Sequence, residues 1–212
     1  KKPFFVSCLG VSNHLPFTFP AKPILTDNSK TRKAAVRYAD WAIWDFIRLA
    51  KREAFWQNTI FVIVADHGAR VYGSQTIPSK SYMIPMYIVG GPVKHQRVSA
   101  LGCQLDVVPT VLGMIGRPYE TMFFGHDLLA QTDPSQSRCV MHHNRSIAIY
   151  RDQRQVVFGL NKSIELFTGD PKSGNMEKVD VLDPIAEQLR QDGTALFQVA
   201  DELYMHRAYR VQ

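Results

Sequence analysis

Hydrophobic and polar positions alternate in three textures along the chain. Pro3-Phe4-Phe5-Val6-Ser7-Cys8-Leu9 is short and almost continuously apolar, the pattern of a strand covered on both faces. A polar, proline-bearing loop follows over 10–28. From about 30 to 53, Val36, Ala39, Ile43, Ile47 and Ala50 recur at steps of three and four, which predicts an amphipathic helix. Asp27, Asn28 and Ser29 are its candidate caps. Thr59-Ile60-Phe61-Val62-Ile63-Val64-Ala65 returns to the buried-strand texture. Strand, helix, strand predicts a βαβ unit with its two strands parallel.

Beyond a polar loop at 66–82, Ile84–Val89 predicts another strand, closed by Gly90-Gly91-Pro92. Asp106 is placed to cap a helix with Pro109 in its first turn, ending near Gly113–Gly116. After a loop near 117–137 the texture changes. Ser146–Tyr150, Gln155–Leu160 and Ser163–Thr168 are short β-rich runs separated by turn residues, a meander of hairpins. Residues 184–207 have helical spacing, with an interruption expected at Asp192-Gly193. The whole reads as an α/β fold, a mostly parallel sheet flanked by helices, followed by a small C-terminal antiparallel sheet and helix.

Composition narrows this picture only slightly. With 212 residues, 45% hydrophobic and 21% charged, the chain has a globular composition and excludes collagen-like and coiled-coil classes. No apolar run approaches the roughly 18–20 residues that span a bilayer. The opening residues read as a strand rather than as a basic-then-apolar leader, so the expectation is a chain that begins inside a domain. The net charge of +6 favours anionic partners. No run of five Lys or Arg occurs, so no nucleic-acid partner is expected. Cys8, Cys103 and Cys139 form no CxxC pair, and Cys8, in its apolar run, is expected to be a core thiol.

The strongest chemical signal is Val64-Ala65-Asp66-His67-Gly68. A carboxylate and an imidazole stand where a buried strand ends, the place where α/β sheets collect ligands. Their O and N donors suit a divalent ion. As a bare dipeptide, the same pair also reads as a turn cap beside a satisfied loop histidine. His14, in Ser12-Asn13-His14-Leu15-Pro16-Phe17, follows the first strand. In a βαβ unit it would converge with Asp66 and His67, where an imidazole can hold a phosphoryl oxygen. Arg70 lies three residues past His67, within reach of an anion, or else faces solvent. His142 and His143 are adjacent on a predicted strand and so point to opposite faces, a poor ligand pair. His126 reads as structural, His95 and His206 as surface, and Trp41, Trp44 and Trp56 as helix packing.

These elements occur in a telling order. An Asn13-His14-Leu15-Pro16-Phe17 loop precedes a long helix and Asn58-Thr59-Ile60-Phe61-Val62-Ile63-Val64-Ala65-Asp66-His67-Gly68. A strand, Asp106-Val107-Val108-Pro109-Thr110-Val111-Leu112 and Gly125-His126-Asp127-Leu128-Leu129 follow. The arrangement resembles the C-terminal half of a sulfatase-type domain of the alkaline phosphatase superfamily, closest to the lipoteichoic acid synthase and phosphoglycerol transferase group. Residues 3 to about 130 carry the resemblance. It implies that 1–137 is the C-terminal half of the catalytic α/β domain and 138–212 its small antiparallel subdomain with a terminal helix.

The resemblance further implies that Asp66 and His67 are metal ligands, with manganese the expected ion and zinc, calcium or magnesium the alternatives. It implies that His14 contacts the substrate's phosphate or glycerol; it assigns nothing to Arg70, which stays a candidate anion contact. No residue here matches the family's nucleophilic Thr or Ser or its early acidic ligand. Both fall upstream of Lys1, so no catalytic residue is assigned and the piece alone is expected to be inactive. Two ligands also fall short of the three or four protein ligands a site ordinarily has. The implied substrate is an anionic lipid or a phosphoester or sulfoester. The implied partner is the missing N-terminal half of the same protein. The implied location is the extracytoplasmic face of a bacterial membrane or the periplasm, with the parent protein membrane-anchored. Three functions follow: phosphoglycerol transfer, sulfate ester hydrolysis, or a non-catalytic binding module.

Overall fold

The computed structural model describes residues 2–21, 30–68, 73, 75–130, 133 and 137–209. The chain gathers into two compact units, Lys1–Phe61 with Ile88–Val93, and Val62–Tyr87 with Lys94–Gln212.

The first unit is organised by helix α1 (Arg32–Ala50). Thr31 is its cap, the hydroxyl accepting from the Ala34 amide at 3.2 Å. The expected caps Asp27, Asn28 and Ser29 lie outside the described residues. The helix buries Ala34, Ala35 and Ala50, whereas Val36, Ile43 and Trp44 of the predicted packing set are exposed. Arg48 covers the Trp44 ring at 5.5 Å and pairs with Asp45 at 2.6 Å. At the helix's far end Phe61 collects three rings, stacking on Trp56 at 5.2 Å, meeting Phe46 edge-on at 5.8 Å and lying 6.5 Å from Phe55. This aromatic seat fixes the start of strand β1 (Ile60–Val64).

Two expectations fail here. Residues 3–9 form no strand and are exposed, Phe5 at 91% and Cys8 included, so Cys8 is not a core thiol. A strand persists only where its amides and carbonyls find a neighbouring ladder, and none of the described strands supplies one. The parallel βαβ pairing is therefore not formed by the described residues. β1 pairs instead with β2 (Met86–Gly90), and the pair is antiparallel. The Gly91 amide donates to the Trp56 carbonyl at one end (3.0 Å), and the Ala65 amide to the Pro85 carbonyl at the other (3.4 Å).

The second unit is built on a five-stranded antiparallel meander: β3 (Cys139–His143), β4 (Ser146–Arg151), β5 (Arg154–Phe158), β6 (Ile164–Asp170) and β7 (Asn175–Val179), in that spatial order. The three inner strands match the predicted meander, β3 holds the His142-His143 pair already read as lying on a strand, and β7 is an addition to that reading. One face carries Ile149, Val156, Phe158 and Leu166 and receives Ile185, Ala186 and Leu189 of helix α3 (Pro184–Met205). Asp183 caps α3, accepting from the Ala186 amide at 2.8 Å, while its other oxygen binds the Arg154 guanidinium. The helix continues unbroken through Asp192-Gly193, where an interruption is expected from sequence. Gly193 is a packing residue there, since a Cβ would lie 2.5 Å from the Phe158 ring.

The opposite face packs Met141, Ala148, Val157, Phe167 and Met176 against Ile77, with Tyr82 alongside. Segment 75–82 thus forms the second cover of the sheet. Gln155, wholly buried, holds it by accepting from the Ser79 hydroxyl and donating to the Ile77 carbonyl at 3.2 Å. Gln75 donates to the Met176 carbonyl at 2.6 Å and Tyr82 to the His142 carbonyl at 2.9 Å.

Helix α2 (Val107–Ile115) ends on Gly116 in the left-handed conformation, as its sequence predicts. Asp106 does not cap it through its side chain. The buried carboxylate accepts instead from the Cys103 amide at 2.6 Å and the His126 amide at 2.8 Å. The buried Thr110 hydroxyl accepts from the Leu128 amide at 3.0 Å. The Asp-x-x-Pro-Thr element therefore holds the Gly-His-Asp-Leu-Leu loop by its backbone, the His126 amide included.

Candidate metal-binding turn at the end of the first strand

The aromatic seat at Phe61 starts β1, and the strand delivers Asp66 and His67 into a turn just past its end. Both side chains are largely exposed, at 67% and 78%. Asp66 closes the turn by accepting from the His67 amide at 2.8 Å through Oδ1. His67 Nδ1 lies 2.6 Å from the Gly68 carbonyl oxygen. A carbonyl only accepts, so this bond puts a ring proton on Nδ1, and in the neutral imidazole Nε2 then carries the lone pair.

That lone pair faces Asp66 Oδ2 at 3.5 Å. Two acceptors face each other well only with positive charge between them. The separation is long for a direct N–H···O bond. Donors on neighbouring vertices of a tetrahedral site with bonds of about 2.1 Å lie about 3.4 Å apart. The pair thus has the donor chemistry and spacing of two ligands to a divalent ion. Among the described residues no group of three or more His, Cys, Asp or Glu is placed to hold a metal, and Asp66 and His67 alone are fewer donors than a metal site ordinarily has.

Two supports fix the turn. The Gln104 side-chain amide donates to the Ala65 carbonyl at 3.1 Å and also to the Asp66 carbonyl. Gly68 passes so close to segment 79–82 that a Cβ would lie 2.3 Å from the Ser81 carbonyl oxygen. Nothing in its local sequence marks Gln104 as part of a site, beyond its position at the head of the Asp-x-x-Pro-Thr element.

His14 belongs to the first unit. Its amide donates to the Val11 carbonyl at 3.1 Å and its carbonyl accepts from the Phe17 amide at 2.8 Å. Its Nδ1 lies 2.8 Å from the Leu15 carbonyl, which again leaves Nε2 free at the surface. Two residues on, Phe19 stacks on Tyr38 of α1 at 5.1 Å and ties the loop to the helix. Arg70 lies outside the described residues. His142 and His143 occupy β3 with His142 exposed and His143 half-buried, in keeping with opposite faces. His95 is exposed, and so is His206, which pairs with Glu202 at 3.0 Å. No described helix is long and apolar enough to cross a membrane.

Comparison with known proteins shows what the chain is similar to. The sulfatase family profile matches residues 1–117. The chain is 25% identical over 208 residues to lipoteichoic acid synthases of Staphylococcus aureus strains USA300 and NCTC 8325, covering 85% of this chain and 31% of theirs. It also superimposes on a crystal structure of an alkaline phosphatase superfamily protein from Vibrio parahaemolyticus with a TM-score of 0.83 and 28% identity. That match covers 95% of this chain and 49% of the other. The chain thus spans about a third of the length of the curated relatives and about half of the solved one.

Proposed function

Because this chain belongs to the sulfatase family, whose profile takes in more than half of it, we propose that it is the metal-holding C-terminal portion of an enzyme acting on phosphate esters. Its reaction is phosphoglycerol transfer from an anionic lipid through a covalent Thr or Ser intermediate. The nucleophile and the remaining ligands come from the portion of the same protein that precedes Lys1. Residues 1–137 belong to the catalytic α/β domain and 138–212 to its small C-terminal subdomain. The enzyme works on the extracytoplasmic face of a bacterial membrane or in the periplasm, anchored by a segment outside this sequence.

The observation that carries the reading is the Asp66 Oδ2 to His67 Nε2 separation of 3.5 Å in the turn at the strand's end. Asp66 and His67 would hold manganese, which would supply Lewis-acid polarisation of the ester and a more acidic nucleophile. The chain's own residues do the rest. Gln104 and Gly68 hold the backbone of the turn from which both side chains project. His14 is the candidate contact to the substrate's phosphate; with Nδ1 donating to the Leu15 carbonyl, its Nε2 would donate to a phosphoryl oxygen in the imidazolium form. Arg70 is a further candidate contact to the anion.

Sulfate ester hydrolysis is the second reading, and the family profile itself supports it. The deciding experiment uses the full-length protein that contains this sequence. Metal content is measured, and p-nitrophenyl phosphate, p-nitrophenyl sulfate and a phosphatidylglycerol analogue are compared as substrates. We expect bound manganese, turnover of the phosphate compounds and loss of metal in Asp66→Ala. Turnover of the sulfate alone selects the second reading. A protein that binds no divalent ion overturns both and leaves a binding module.

A further inference from the structure

We infer that Gln155, in the middle of the C-terminal sheet, is a positioning residue for the Asp66–His67 turn and acts on it through segment 77–81. The inference rests on the reading of that turn as a pair of metal ligands. Gln155 is wholly buried on the central strand β5, on the sheet face otherwise built from Met141, Ala148, Val157 and Phe167. Burying an amide costs free energy unless its donor and acceptor are both used. An apolar side chain would cover this face without that cost. Gln155 commits both groups to the segment. Its Oε1 accepts from the Ser79 hydroxyl, and its Nε2 donates to the Ile77 carbonyl at 3.2 Å. Apolar contact alone lets a covering segment slide, whereas two directional bonds fix its register.

From there the linkage reaches the ligands in short steps. Ile77, Pro78 and Ser79 are buried, and the Ser81 amide donates to the Pro78 carbonyl at 2.9 Å, closing the short turn Ser79–Tyr82. That turn sets the Ser81 carbonyl against Gly68, where a Cβ would collide with it. The Gly68 carbonyl accepts in turn from His67 Nδ1 at 2.6 Å and so orients the ring. A shift of the segment therefore turns the His67 ring and moves Nε2 relative to Asp66 Oδ2. Gln104 holds the other side of the same turn, by the Ala65 and Asp66 carbonyls. Gln75 and Tyr82 tie the ends of the segment to the edge strands β7 and β3, whereas Gln155 holds its middle.

The test uses the full-length protein that contains this sequence, stripped of metal, with Mn2+ alone as the probe. Affinity is read by isothermal titration, and amide exchange is followed by mass spectrometry in the metal-free protein. Gln155→Met keeps the bulk and loses both bonds. It should weaken Mn2+ binding about 10-fold and speed exchange in the peptide holding Ala65–Gly68. Gly68→Ala should weaken binding by a similar factor. The double variant should lose less than the product of the two single losses, because both act along one path. Ile149→Val, on the sheet face that packs α3, should lower the melting temperature at unchanged affinity and unchanged exchange in that peptide. If Gln155→Met folds poorly, Ser79→Ala removes one of the two bonds and should give the same effects at smaller size. Parent-like Mn2+ affinity in the Gln155 variant, or an equal loss in Ile149→Val, overturns the inference. A parent protein that binds no Mn2+ overturns the metal reading instead, and exchange at Ala65–Gly68 then decides whether Gln155 holds the turn.

Discussion

Gln104 is the residue on which the candidate site depends most and whose chemistry is least conspicuous. A single side-chain amide spans two successive carbonyls, those of Ala65 and Asp66, and so sets the direction in which the aspartate leaves the backbone. Support groups of this kind commonly change metal affinity by about 10–100-fold when removed. Gln104→Ala should weaken manganese binding to the full-length protein by about that factor, read by isothermal titration. Far-UV circular dichroism should be unchanged. Equal affinity in the variant would mean that the turn is held by its own bonds. At this scale the sequence was legible where chemistry is local. Asp66 and His67 stand out as a pair at a strand end. Gln104 does not, because its partners are carbonyls of another segment and any residue type carries those. Asp106 was read as a helix cap because spacing shows only the nearest amides, whereas the fold offered Cys103 and His126 instead.

Among the elements, α3 is joined to the meander by charge as well as by apolar contact. Asp183 lies below the usual carboxylate range because the Ala186 amide, and then Arg154, hydrogen-bond its ionised form. Glu187 is lowered to about 2 by Arg190 and then Gln191. A carboxylate whose pKa is lowered by folding stabilises the fold only while ionised. That contribution is complete above the ordinary value of 4.5 for Glu187 and is lost as pH falls toward about 2. Acid unfolding followed by the helical signal should therefore set in below about pH 4.5. Asp183→Ala should lower stability at neutral pH by about 1 kcal/mol through the lost cap. It should also flatten the acid limb, and an acid limb as steep as the parent's would contradict the argument. The inner strands were legible because alternation is clean where both neighbours are present. Edge strands β3 and β7 carry His142, His143, Glu177 and Lys178, and charge on an edge suits water and discourages pairing with other chains. Their extended form comes from the register with β4 and β6 and not from their own composition. The continuity of α3 through Gly193 was hidden for a related reason. The glycine is required by a ring on another strand, which helical spacing cannot reveal.

For the whole molecule, the leading feature is apolar surface. Phe4, Phe5, Val6, Leu9, Val11 and Leu15 are all more than 60% exposed, and α1 leaves Val36, Trp44 and Phe46 more than half exposed. Scattered single residues of this kind are ordinary, but a run of them is not. This chain alone should self-associate, its apparent mass by light scattering rising with concentration. Replacing Phe4 and Phe5 by Ser should shift it toward monomer. A monodisperse monomer at high concentration would show that the run is harmless in water. The parallel pairing expected from the βαβ pattern was the reading least secured by local sequence. A near-continuous apolar run says that a strand is covered, but not by what, and 3–9 has the composition of a buried strand without a described neighbour.

Segment 75–82 also bears on how this protein can be recombined. Ile77, Ser79 and Tyr82 come from the chain directly after the candidate ligands, yet they fill and bond one face of the C-terminal meander. A chimera that exchanges only 138–212 with a relative would set a foreign sheet against a native plug. A transplant that carries 62–87 along with 138–209 keeps plug and socket from one parent. Grafts drawn along those lines should fold where grafts drawn at the change of sequence texture fail.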